Sequence, residues 1–224
     1  MKATVALDIC ERVTASVIKS ARCIMSASRQ IFLFVCFVCV TSKDLPYTED
    51  VIIPFPYPLF KQCDPQWGND TIVTTTICAV GCLLSSTAMA LNGHSIMINA
   101  TDESNPGTLN YWLQTNNGYD SGNDFIEESL NTLNPSHVQW NETGGMHRTN
   151  DVDLSIVQEL LLQHEPVILN VDKGRHFVLA IGWSLDNNDT IMINDPGFER
   201  TNYSYANDVV GLRLFNMSDA RRRR

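Results

Sequence analysis

The apolar pattern of this chain changes period once, near residues 163–166, and that change limits the folds open to it. Before it, apolar residues recur at helical spacing. Leu83, Ala90 and Leu91 can share a face in residues 82–91, which Asn92-Gly93 stops. Residues 106–114 carry proline in the first turn and Asn116-Asn117-Gly118 as a stop. Residues 123–130 read as a third helix, capped by Asn123, with acidic residues at the end that the helix dipole disfavours. Residues 153–163 make a fourth, with Leu154, Val157, Leu160 and Leu161 on one stripe. After the change come β-rich runs at 166–171, 176–183, 190–194 and 209–215, with 186–189 as a hairpin turn. Helices first and strands second predict an α+β fold, its N-terminal helices packed on a C-terminal antiparallel sheet with a cleft between them.

The remaining organisation is simple. Residues 31–40 (IFLFVCFVCV) are apolar, with Arg29 before them and TSKD after. That is the form of a signal-peptide core, and it falls short of the roughly 20 residues a membrane span needs. Residues 1–42 are therefore expected to be an upstream extension and signal peptide, with Met25 as a conventional start and cleavage near Ser42. An uncleaved signal anchor is the alternative, and the one route to a membrane. Residues 43–60 (including VIIPFPYPLF) read as an extended lead-in, residues 61–216 as one domain, and residues 217–224 as a disordered basic tail.

Charge and sequons point to the compartment. From residue 43 onward, 11 Lys and Arg face 23 Asp and Glu, which disfavours a nucleic-acid partner. Asn69, Asn99, Asn141, Asn188, Asn202 and Asn216 each open an N-x-[ST] sequon. The expectation is a glycoprotein of the secretory pathway, either secreted or lysosomal/vacuolar. Cys10, Cys23, Cys36 and Cys39 precede the predicted cleavage, leaving Cys63, Cys78 and Cys82. In an oxidising compartment an odd count leaves one thiol unpaired. A Cys63–Cys78 bridge closes a short loop and spares Cys82. The competing pair, Cys78 with Cys82, is opposed by Gly81, which places the helix start near Cys82. Zinc is the weaker reading, because three cysteines without a close histidine are not a standard ligand set. No cofactor is expected.

Three residues then form a chemical set in chain order. Cys82 sits at a helix start, His176 at a strand start and Asp195 at a strand end. A thiol beside the free N–H groups of a helix N-terminus, an imidazole to move its proton and a carboxylate to orient the ring are the parts of a nucleophilic site. Each also has a plainer reading: a buried helix cysteine, a satisfied strand histidine, and a turn aspartate in Asp195-Pro196-Gly197. His94, His137, His147 and His164 lack a comparable setting and read as surface residues. Trp67, Trp112, Trp140 and Trp183 read as core or cleft-wall aromatics.

The strings KQCDPQWG, GCLLSSTAMAL, GRHFVLAIGW and INDPG, in this order, resemble the C39-like cysteine peptidases, a branch of the papain-like fold. The resemblance covers residues 60–215. It implies Cys82 as nucleophile, His176 as general base, Asp195 as orienting carboxylate, and an upstream glutamine that binds the oxyanion. Gln62 fits that last role by its spacing to Trp67, with Gln66 nearby. Many relatives carry Cys-Gly-Pro at the nucleophile, where this chain has Cys82-Leu83-Leu84. The implied activity is hydrolysis of peptide bonds in a peptide or protein substrate. The alternatives are an inactive papain-like binding module and an acyl transferase on the same site.

Overall fold

The computed structural model describes residues 50–140 and 143–220. The signal segment, the lead-in before residue 50, the sequon residue Asn141 and residues 221–224 lie outside them. In chain order the strands are β1 (Val51–Ile52), β2 (Val138–Trp140), β3 (Met146–His147), β4 (Val167–Val171), β5 (His176–Ser184), β6 (Thr190–Asn194), β7 (Asn202–Ser204) and β8 (Gly211–Met217). The helices are α1 (Ile77–Val80), α2 (Cys82–Gly93), α3 (Pro106–Thr115), α4 (Leu154–Leu162) and α5 (Tyr205–Asp208).

The sheet runs β2-β8-β4-β5-β6-β7, with β1 also on β5 and β3 also on β8, and every pairing is antiparallel. This is the α+β class that the change of period predicted. The strands alternate as a period of two requires. Ile168 and Leu179 join the core formed with α2 and α3, whereas Val167, Leu169, Val171, Val178 and Ala180 join Val157 and Leu161 of α4 in a second core. Helix α4 therefore covers the opposite face of the sheet from α2 and α3. The near-continuous apolar run VILNV of β4 is the signal for a strand covered on both faces.

Helix α2 is the centre of the first core. Residues 84–91 are all buried, polar Ser85, Ser86 and Thr87 included, so no solvent face remains. Helix α3 opens on a full capping box, Asn105 with Thr108, and has Pro106 in its first turn.

Two expectations are corrected. The third predicted helix is a 3-10 turn, Glu127–Thr132, that starts later. Asn123 does not cap it. Its Oδ1 accepts from the Val73 and Thr74 N–H groups at 3.1 and 2.7 Å, at a φ of 73°. Glu127 then sits in the first turn, where an acid is favourable, and pairs with Arg213 at 2.6 Å. His94 is not a surface residue. It is buried, with its Nε2 3.1 Å from the Tyr57 hydroxyl and Phe55 stacked on it.

Strand β8 continues past the expected end at 215 to Met217, and the backbone bonds of Ser218 and Ala220 to His137 and His94 carry order to residue 220. All four tryptophans are buried. Asn69, Asn99, Asn188 and Asn216 are exposed and Asn202 is half-buried.

The lead-in ends as part of the fold. Strand β1 pairs with β5 over Gly182, where an added Cβ would lie 2.0 Å from the Ile52 carbonyl oxygen, so only glycine fits. Tyr57 is buried, and Asn194 at the end of β6 donates to the carbonyls of Tyr57 and Pro58. This carries the chain to Lys61 and Gln62, beside the end of β6.

Candidate active site

Three local devices bring Cys82, His176 and Asp195 together. The first is the break at Gly81. The α1 ladder ends with the Gly81 N–H on the Ile77 carbonyl (2.7 Å), and the α2 ladder opens with the Ser85 N–H on the Gly81 carbonyl (2.9 Å). The Cys82 N–H falls in the gap between the two ladders. A Cβ at Gly81 would lie 2.5 Å from the Ile77 oxygen, so the sharp turn needs glycine. Second, Ser86, one turn after Cys82, donates to the carbonyl of Phe177 at 3.3 Å, which sets the start of α2 beside the start of β5. Third, β4 and β5 pair Val171 with His176, so residues 172–175 must reverse the chain. They do so with Asp172, Lys173 and Gly174 all at positive φ (50°, 57° and 90°). Because β5 and β6 are antiparallel neighbours, the start of β5 lies next to the end of β6, and Asp195 follows directly.

The result is a buried pair with a thiol beside it. His176 Nε2 lies 2.7 Å from Asp195 Oδ1, and both residues are buried. The same carboxylate oxygen accepts from the N–H groups of Gly197 (2.8 Å) and Phe198 (2.9 Å). The Cys82 side chain lies beside the same ring, close enough to raise its pKa, and both residues line one cavity. Cys82 is partly exposed and is the free cysteine among the described residues, because Cys63 and Cys78 form a disulfide. The bridge is the predicted one and removes the competing Cys78–Cys82 pairing.

Gln62 completes the arrangement. Its backbone N–H donates to the Pro196 carbonyl at 2.9 Å and its side-chain Nε2 to the Cys78 carbonyl at 2.7 Å. In a continuous helix that carbonyl would serve the Cys82 N–H. Gln62 is buried, whereas Gln66 is exposed. Gln62, Cys82, His176 and Phe198 line one cavity of about 440 Å³. A cavity of the same volume, lined by residues that include Pro56, Met97 and Glu103, has neither a cysteine nor a histidine in its lining.

The profile of the Peptidase_C39 like family matches residues 56–216. The chain belongs to this family. Neither a curated protein nor a solved structure matches it. The family suggests a peptidase, and the match spans every residue of the arrangement just described.

The electrostatics of this C39-like site follow from its burial and bonds. Burial of the His176 ring disfavours its cation, but the hydrogen bonds and charges of Asp195 and Cys82 outweigh that, and the pKa is raised to about 9. Burial alone would raise the Asp195 carboxyl. The bonds from His176, Phe198 and Gly197 reverse this and hold it below the usual carboxylate range. The pair is thus biased toward imidazolium and carboxylate.

Three residues around the C39-like site were not singled out from the sequence. Lys61 Nζ donates to the carbonyls of Asp195 (3.0 Å) and Phe198 (2.7 Å) and so ties down the loop that follows β6. Phe198, exposed at its outer side, sets its ring edge-on to His176 with centroids 5.0 Å apart. Gly197 passes so close to the ring that an added Cβ would lie 2.9 Å from His176 Cε1. One sequence cue was present: the spacing from Gln62 to Trp67. The Trp67 indole N–H donates to the Lys61 carbonyl at 2.8 Å and fixes the backbone just before Gln62.

Proposed function

We propose that this C39-like protein is a cysteine peptidase of papain-like fold that hydrolyses peptide bonds with Cys82 as nucleophile. The observation that carries the reading is the buried His176–Asp195 hydrogen bond with the unpaired Cys82 thiol beside the same ring in one cavity. Acylation begins with the proton of the thiol on His176 Nδ1. The Cys82 sulfur attacks the carbonyl carbon, and the C=O electron pair moves onto oxygen. That oxyanion is met by the Cys82 N–H, which the break at Gly81 leaves outside both helical ladders, and by the second N–H of Gln62 Nε2. The oxyanion collapses, the C–N bond breaks, and the imidazolium protonates the leaving amine. Water then attacks the thioester, giving its proton to His176, which returns a proton to sulfur as the acid departs. Asp195 holds the ring in one orientation throughout and favours its cation.

We place the protein in the secretory pathway, as a secreted or lysosomal glycoprotein. The disulfide beside the site, the exposed sequons and the signal-like run at residues 31–40 support this. The decisive experiment uses a thiol-reactive peptide probe and a fluorogenic peptide mixture. Wild-type protein should be labelled at Cys82 and release product, and Cys82→Ala should do neither. Labelling retained in Cys82→Ala would overturn the assignment. N-terminal sequencing of the native protein should find a start near Ser42. An unglycosylated chain beginning at Met1 would overturn the secretory reading.

A further inference from the structure

A second hollow, of about 260 Å³, opens on the other side of Cys82. Its lining includes Ile72, Val80, Leu83, Tyr119, Phe125 and Phe177. Leu83, Tyr119, Phe125 and Phe177 are only partly buried, so each shows apolar surface into the space. The Tyr119 hydroxyl is already engaged, donating to Asn110 Oδ1 at 2.9 Å, and the residue offers its ring rather than its polar end. The walls are held before any ligand arrives. Asn123 ties the loop at Val73 and Thr74, Asp120 Oδ1 accepts from the Gly122 and Asp124 N–H groups, and Tyr119 bridges to Phe125. The rim is polar, with Arg175 ion-paired to Asp172 at 2.9 Å and Asp124 on the other side.

We infer that this hollow is the specificity site: it takes one large apolar side chain, of leucine or phenylalanine type, from a residue flanking the scissile bond. The inference rests on the proposed peptidase reading and adds the substrate class to it. An apolar floor under a polar rim admits a side chain and leaves the peptide backbone outside. The volume falls below the roughly 300–1,000 Å³ of sites that enclose a whole small ligand. Cys82 lines both this hollow and the cavity that contains His176, so a side chain seated here keeps its own backbone within reach of the sulfur. Departure from the Cys-Gly-Pro pattern matters at this point, because Leu83 in place of glycine supplies part of the wall.

The test separates binding from turnover. Cys82→Ala protein is titrated by calorimetry with intact peptides in which Leu, Phe, Gly or Glu is placed in turn at each position near the cleavable bond. One position should prefer Leu or Phe over Gly and Glu by about tenfold or more. That preference should fall to about threefold or less in Cys82→Ala/Phe125→Ala. It should fall likewise in Cys82→Ala/Val80→Asp, chosen because Val80 is exposed and its substitution spares the core. Equal affinity for all four residues at every position, binding of no peptide, or a preference unchanged by both variants overturns the inference. Hydrolysis by wild-type protein is measured separately. Selective binding without cleavage would refute the peptidase reading and leave the hollow assigned, and cleavage without selectivity would do the reverse.

Discussion

Gln62 and Cys78 are joined twice, once by the 2.7 Å hydrogen bond from the Gln62 amide to the Cys78 carbonyl and once through Cys63, the neighbour of Gln62, by the disulfide. The bridge therefore fixes the glutamine against the turn that precedes Cys82. Replacing both cysteines (Cys63→Ser with Cys78→Ser) should cost stability on the order of 3 kcal/mol, the loop-entropy value for a closure of this length. It should also lower kcat at temperatures where the protein is still folded. Calorimetry and peptide hydrolysis on the same preparation check both. Unchanged kcat in a destabilised protein would confine the bridge to stability.

Gln62→Ala should lower kcat by about 100- to 1,000-fold with little change in KM, because an oxyanion donor acts mainly in the transition state. Gln66→Ala, at an exposed position, should have no such effect. Steady-state kinetics on the two variants decide between the glutamines.

Gly197→Ala should displace the His176 ring, since the added methyl would fall 2.9 Å from Cε1, next to the Nε2 that Asp195 holds. We expect loss of most activity with the melting temperature little changed. A fully active Gly197→Ala would mean that the loop yields more readily than its Lys61 anchors imply.

The pH dependence follows from the ring. In the proposed mechanism the cation of His176 protonates the leaving amine, and its pKa is raised to about 9. Activity should therefore hold through neutral pH and fall as pH rises through about 9, with an apparent value that belongs to the Cys–His pair. In Cys82→Ala two of the influences that raise it are gone, and the imidazole should titrate at lower pH. Proton NMR of the ring across the titration checks the direction.

Asp195→Asn should leave measurable activity, with a loss on the order of tenfold to a thousandfold, whereas His176→Ala should remove nearly all of it. An amide oxygen can still aim the ring, but nothing replaces the proton carrier. If Asp195→Asn were fully active, the neighbouring Asn194 would be the obvious substitute from the sequence, yet its amide is committed to the carbonyls of Tyr57 and Pro58. Kinetics on the two single variants settle the order.

The parts of the site that were legible were those with a local chemical signature. Gly81 marked the helix start, the odd cysteine count marked a spared thiol, and the period change located the strands that carry His176 and Asp195. What stayed hidden depends on contacts across the chain. Asn123 looks like a helix cap in a short window of sequence, and only the loop at Val73 and Thr74, far earlier in the chain, shows where its side chain goes. His94 reads as polar surface until Tyr57 and Phe55 of the lead-in fold over it. Lys61 looks like any exposed lysine, since its partners at Asp195 and Phe198 lie 134 and 137 positions away. The placement of α4 on the far face was hidden for a similar reason: an apolar stripe says that a helix packs, not on which side of a sheet.

The clasp between the lead-in and the sheet limits where the N-terminus of this chain can be cut. A cut anywhere between residue 52 and Lys61 would free the strand from Gly182, release Asn194 from the Tyr57 and Pro58 carbonyls and uncover His94, and it would sever the segment that leads into Gln62. Trimming of the N-terminus is therefore expected to stop before Val51. The stretch that reads as an extended lead-in in the sequence serves, from residue 50 on, as the tether that keeps Gln62 and its wall of the cavity in place.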